Sequence, residues 1–182
     1  MDVGQRVVFG GYEWMILDIQ DRKALMLSDK ILMKMPYNNI VADITWECCS
    51  LREYLNDVFI NKFSEKEKST ITETILINND NWWHGTEGGN PTSDKIFLLS
   101  IEEIVRYFGD SGKMKKDRWI ADQYNPMRIA FDESQKAWWW WLRTPGFNTK
   151  CAVYVDSRGV IYDTGTVHVR DAGVRPAFWL KL

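Results

Sequence analysis

β-Branched and aromatic residues crowd residues 6–9 and 12–19, and the two runs meet at Gly10-Gly11. Such runs read as strands, and a two-glycine link is the turn chemistry of a tight hairpin. Asp21-Arg22-Lys23 turns the chain into a third apolar run at 24–27, and a fourth at 31–35 stops at Pro36-Tyr37-Asn38-Asn39. The period then changes. Leu51, Tyr54, Leu55, Val58 and Phe59 stand at i, i+3, i+4, i+7 and i+8, one stripe of an amphipathic helix that begins near Thr45 or Trp46. Ser64 with Glu67 forms a capping box for a second, shorter helix. Ser100 with Glu103 forms another, with Leu99 and Ile104 placed as a hydrophobic staple and Gly109 as the stop. Residues 72–77 and 95–99 read as short strands. Between them, residues 78–93 form a polar, glycine-rich loop carrying Trp82-Trp83-His84, long enough to be either functional or mobile. Residues 110–131 are polar and irregular apart from a short segment around Trp119.

The last third returns to strand pattern. Residues 138–142 open it with four consecutive tryptophans, residues 151–156 and 160–162 form a hairpin through Ser157-Arg158-Gly159, and 166–170 and 174–180 read as two further strands. Side chains alternate across a strand. Ala152, Tyr154 and Asp156 therefore share one face and Val153 and Val155 the other; Thr166, His168 and Arg170 likewise oppose Val167 and Val169. The whole pattern predicts an α+β fold of small antiparallel sheets with two to three helices. It reads as a single domain over 1–182: N-terminal β-hairpins at 5–35, a helical middle at 45–109 and a C-terminal β display region at 137–182.

Composition sharpens this picture in three places. Ten tryptophans in 182 residues is heavy usage, which places these side chains in the core or against a ligand. Within 138–141, alternation sends one pair into the core and the other over a second layer. A net charge of −2 leaves no global electrostatic footprint for nucleic acid or anionic lipid, and Lys113, Lys115, Lys116 and Arg118 read as a solvated local cluster. Three cysteines make no disulfide framework; Cys48 and Cys49 read as buried small side chains, reduced together with Cys151. The opening residues lack a signal-peptide pattern and no segment approaches the ~18 apolar residues of a membrane span. A cytoplasmic protein is expected, with surface or phage display requiring another route.

Candidate chemistry is sparse. His84 and His168 are the only histidines and no metal-ligand spacing accompanies them, so no metal or cofactor is expected. No nucleophile elbow, phosphate loop or dinucleotide fingerprint occurs. Arg143 and Arg175, each beside a turn signal and an apolar run, read as structural clamps. Trp82 and Trp83 are secondary ligand candidates or a lid over the core.

The motif Trp140-Trp141-Leu142-Arg143-Thr144-Pro145-Gly146 and the terminal Gly173-Val174-Arg175-Pro176-Ala177-Phe178-Trp179-Leu180 resemble the signature of a bacterial family of unknown function. Thr45-Trp46-Glu47, the run from Ser50 to Asn56, Phe63-Ser64 and the run from Asp94 to Ser100 are similar to the same family. That family resembles the C-type-lectin-like fold of formylglycine-generating enzymes and of the variable proteins of diversity-generating retroelements. The resemblance implies a non-enzymatic recognition domain with a diversified C-terminal surface. In such proteins, randomised template adenines convert Asn codons into others. Asn148, Thr149, Tyr154, Asp156, Ser157, Arg158, Tyr162, Asp163, Thr164, His168, Arg170 and Asp171 all belong to the reachable set, whereas Lys150 does not and would be fixed. These twelve positions form the expected ligand surface for a macromolecule, protein or glycan, with no nucleic-acid partner, no membrane insertion and an open oligomeric state. The alternatives are a fixed carbohydrate- or cell-surface-binding module using Trp82 and Trp83, and a formylglycine-generating-type oxidase using Cys151.

Overall fold

Gly10 and Gly11 adopt φ of +59° and +79°, and this turn folds Arg6–Phe9 antiparallel onto Tyr12–Gln20 in the register Phe9↔Tyr12. The next turn reaches the left-handed region without glycine, at Asp21 and Arg22, and returns the chain as Lys23–Ser28. The computed structural model describes residues 1–182. Its architecture is mixed α+β, with two five-stranded sheets and two small two-stranded ones.

The N-terminal sheet runs Arg6–Phe9, Tyr12–Gln20, Lys23–Ser28, Ala177–Lys181 and Ile71–Thr72, so the last strand of the chain lies against its third. The C-terminal sheet runs Ile161–Thr166, Cys151–Val155, Trp140–Pro145, Gly173–Val174 and Met33–Lys34. Only Trp140–Pro145 and Gly173–Val174 pair in parallel. The run expected at 174–180 is therefore two strands in two sheets, switching at Arg175-Pro176. One continuous apolar core joins the sheets and includes Trp14, Trp46, Trp140, Trp141 and Phe178.

The helical middle follows its caps. Ser64 and Glu67 close a capping box on Glu65–Thr70, and Ser100 and Glu103 close another on Ile101–Phe108, which stops at Gly109. Ser100→Ala should cost about 1 kcal/mol by removing an acceptor for an orphan helix N–H; an unchanged urea midpoint would count against the cap. The stripe expected from Leu51 holds for Leu51, Leu55 and Phe59, all fully buried, but Val58 is 53% exposed. Residues Tyr54–Val58 form a π-helical turn, which is wider than the 3.6-residue period and rotates Val58 out of the stripe. A further short helix, Asn125–Arg128, lies in the stretch expected to be irregular.

Residues 95–99 are not a ladder strand, although Ile96 to Leu99 are all buried. Asn56 supplies the missing partners: its Oδ1 accepts the N–H groups of Lys95 (2.9 Å) and Ile96 (3.1 Å), and its Nδ2 donates to the Ile96 carbonyl (2.8 Å). Phe97 adds a single bridge to Ala177. Nearby, Asp94 is buried and accepts from the Trp46 indole (2.9 Å), Arg52 Nε (2.6 Å) and the Thr92 hydroxyl (2.8 Å). A buried carboxylate is tolerated when its lone pairs are filled in this way.

Candidate functional site

The four tryptophans of residues 138–141 do not divide by face. Each face takes one fully into the core and leaves one at its edge. Trp140 is fully buried, with the Arg175 guanidinium 4.7 Å from its ring and its indole N–H donating to the Arg128 carbonyl (3.1 Å). Trp138 is half-buried between the ammonium groups of Lys34 (3.9 Å) and Lys136 (4.6 Å). On the other face, Trp141 is fully buried against Tyr37 and donates to the Met35 carbonyl (3.1 Å). Trp139 lies edge-on to Trp141 at 4.9 Å and stays half-buried.

From Trp139 a row of rings crosses the sheet. Tyr154 packs on Trp139 (5.3 Å) and Trp141 (6.5 Å), and Tyr162 packs on Tyr154 (5.8 Å, planes 32° apart). Val153, Val155 and Ile161 are buried on the opposite face, so alternation alone aims both tyrosines outward. Gly165 makes room for the row: a Cβ there would come 2.4 Å from the Trp141 ring and 2.9 Å from that of Tyr154. The result is an open groove of about 400 Å³ lined by Trp139, Tyr154, Asp156, Ser157, Thr164 and Thr166, with Val169 at one end.

The rim beside the row is held by Asp156. Its Oδ1 accepts the N–H groups of Arg158 (2.8 Å) and Val160 (2.9 Å), fixing the hairpin turn. Its Oδ2 pairs with Arg158 through Nε (2.9 Å) and Nη2 (2.7 Å), which raises the guanidinium pKa further. Arg158 also reaches the Tyr162 hydroxyl at 3.4 Å.

The structure therefore brings together Tyr154, Asp156, Ser157, Arg158, Tyr162 and Thr164. Asn148 and Thr149 lie in a separate turn: Asn148 Oδ1 accepts the Lys150 N–H (2.9 Å), and the Thr149 hydroxyl donates to Asp43 (2.5 Å). His168, Arg170 and Asp171 are exposed on the turn that carries Val169. That turn replaces the strand expected at 166–170, because Val169 N–H bonds back to the Thr166 carbonyl and Val167 N–H to that of Lys150.

Asp163 is a second correction. It was expected on the polar side, in a loop, but Ile161–Thr166 continues as a strand. Period-two alternation then turns Asp163 inward, where it is 6% exposed and pairs with His84 Nε2 at 2.6 Å. His84 belongs to the 78–93 loop, which its own amides anchor. Asn81 Nδ2 donates to the Pro145 carbonyl (2.7 Å) and Asn81 Oδ1 accepts Trp83 N–H (2.8 Å). Trp83 is half-buried with its indole N–H on the Met114 carbonyl (2.8 Å), whereas Trp82 is 58% exposed.

All three cysteines are free. Cys49 is buried, and its Sγ accepts the Arg52 N–H (3.4 Å) at the head of a helix. Burial pushes its thiol pKa to about 12. Cys48, expected to be buried, is exposed, since the 3-10 turn Trp46–Cys48 points it away from the core. Burial, reinforced by Asp163, raises the Cys151 thiol. No helix is long and apolar enough to cross a membrane.

Sequence reasoning placed Tyr154 and Tyr162 on the open face but did not single out Trp139. The signal was there: Trp139 and Trp141 share strand parity, so a shared face with Tyr154 follows once Trp141 and Tyr154 pair across the ladder. No curated protein and no solved structure matches the chain. Residues 21–182 match the family described as a domain of unknown function (DUF6273), a span that takes in the whole aromatic row. With that match running from the second turn to the last residue, the chain belongs to the DUF6273 family.

Proposed function

We propose that this chain is a non-enzymatic recognition domain with a C-type-lectin-like fold, and that it binds a protein or glycan in the groove lined by Trp139 and Tyr154, with Tyr162 next in the row. The observation that carries the reading is a row of aromatic rings left open on one sheet face, above fully buried Trp141. Tyr and Trp bring large contact area at low rotamer cost, and their rigidity here is already secured by the frame. The fold assignment is supported by the return of the chain's end to its third strand and by the sheet built from its last third. The non-enzymatic reading is supported by the thiols of Cys49 and Cys151, whose raised pKa values keep them protonated and poorly nucleophilic. The alternative built on Trp82 and Trp83 is weakened by Trp83, whose indole N–H is already committed.

The most specific form of the proposal is the variable protein of a diversity-generating retroelement. Ser157, Arg158, Tyr162, Thr164, His168 and Arg170 are exposed or half-exposed, and substitutions at such positions rarely exceed about 0.5 kcal/mol. Asp156 and Asp163 carry structural bonds and belong to the frame. Sequenced sibling copies should therefore differ at Tyr154, Ser157, Tyr162 and Thr164 while keeping Asp156 and Asp163. A near-copy of the coding end with adenines at the mismatches, beside a reverse transcriptase, is the expected genomic context. Substitutions spread evenly along the chain, or absent from the groove, would remove the diversification reading.

A further inference from the structure

The two crossings between the sheets lie side by side. Ser28 ends one strand of the N-terminal sheet and its N–H donates to the Pro176 carbonyl at 2.9 Å. Arg175, only 3% exposed, sits at this junction. Its Nε and Nη2 donate to the Ser28 carbonyl (3.1 and 2.9 Å), with Nη2 also 3.4 Å from that of Asp29. The Arg175 Nη1 has no partner. The neighbouring carboxylate, Asp29, is paired with Arg6 at 2.8 Å. With two carbonyls and the Trp140 ring (4.7 Å) against it and no carboxylate bonded to it, this buried guanidinium is under-compensated, and burial pushes its pKa down to about 10.

Arg175 lines a cleft of about 560 Å³ between the N-terminal sheet, the end of the Ile101–Phe108 helix and the Asn125–Arg128 helix. Its walls include Met15, Leu17, Phe108, Ile129, Met127 and Phe131. Met127 is 59% and Phe131 43% exposed, an unusual outlay of large apolar side chains at one mouth. The charged groups of the lining are Arg6, Lys30 and Arg175 against Asp29 alone, a positive excess in a chain of net charge −2. The volume suits a small ligand, and the pairing of apolar walls with a few fixed polar donors is how such sites are built.

We propose that this cleft binds a small amphipathic carboxylate, with its apolar body against Met127 and Phe131 and its carboxylate on Lys30 at the rim, within the field of the buried Arg175 guanidinium. The bound anion would supply the charge that Asp29 gives to Arg6. The cleft shares no lining residue with the aromatic groove, so this assignment stands apart from the recognition reading.

Decanoate and decanol, titrated below their aggregation limits by calorimetry, are the probes. Decanoate should bind the full chain at one site, and decanol about tenfold more weakly or worse, as expected for the loss of a charge-assisted hydrogen bond. Met127→Glu and Phe131→Glu change exposed positions and should fold normally while weakening decanoate about tenfold. Lys30→Gln, a change at a half-buried rim position, should weaken it similarly. Tyr154→Ala should leave decanoate binding unchanged. Absence of decanoate binding, equal affinity for decanol, or unaltered binding in all three rim variants overturns the proposal.

Discussion

Arg143→Ala should destabilise the fold by about 3 kcal/mol, measured as the shift of the urea unfolding curve at constant slope. The side chain is 6% exposed in the middle of the C-terminal sheet. Its Nη1 donates to the Leu98 carbonyl (2.8 Å) and to Glu103 Oε2 (2.5 Å), and its Nη2 to Glu103 Oε1 (3.2 Å). Glu103 Oε2 simultaneously accepts the Ser100 N–H (2.8 Å) that closes the helix cap. One guanidinium thus ties the C-terminal sheet, the unpaired 95–99 segment and the head of the Ile101–Phe108 helix. Removing one partner of a buried pair typically costs about 3–5 kcal/mol, because the other is left without compensation. The lower end applies here, since Glu103 keeps 25% side-chain exposure and water can recover part of its solvation. Arg143→Lys should recover little, because a single ammonium cannot serve the Leu98 carbonyl and both carboxylate oxygens in this fork geometry. A loss under about 1 kcal/mol in the alanine variant would show that the clamp is dispensable.

What the sequence announced and what it hid divide along a physical line. Features decided within a few residues were legible: the Gly10-Gly11 turn, the paired Ser and Glu of both capping boxes, and the outward alternation of Tyr154. Each depends on backbone sterics or on a hydrogen bond of short span. Features decided by distant partners were not. Residues 95–99 carry a strand-like apolar run, yet Asn56 takes their backbone groups. Val58 fits a helical stripe until the wider turn at Tyr54–Val58 displaces it. The sequence pattern ends that strand at Tyr162, leaving Asp163 in a loop; the strand persists to Thr166 and buries the carboxylate against His84. Arg175 read correctly as a clamp, but only the sheet order reveals that it clamps the two chain crossings and leaves one nitrogen free.

Trp141→Ala should cost about 3–5 kcal/mol, the range for truncating a large aromatic in a packed interior. The side chain is fully buried and touches Tyr37 (5.8 Å), Trp139 (4.9 Å) and Tyr154 (6.5 Å). Its removal opens a void that those three rings cannot fill without leaving their positions, and it strips the Met35 carbonyl of its donor. Trp141→Phe isolates the second term: it keeps most of the apolar contact, so about 1–2 kcal/mol should remain from the lost hydrogen bond and the smaller ring. Trp82→Ala is the control, since that indole is 58% exposed and its loss should stay within about 0.5 kcal/mol. The near-ultraviolet dichroism of the alanine variant, recorded below its transition, should lose the bands of the coupled Trp139–Tyr154 pair even where the far-ultraviolet spectrum is native. That outcome follows because Tyr154 and Trp139 both rest on Trp141: the ring that fills the core supports two walls of the groove from beneath. Equal stability losses in Trp141→Ala and Trp82→Ala, or an unchanged aromatic spectrum, would separate the groove from the core and leave the row of rings without its foundation.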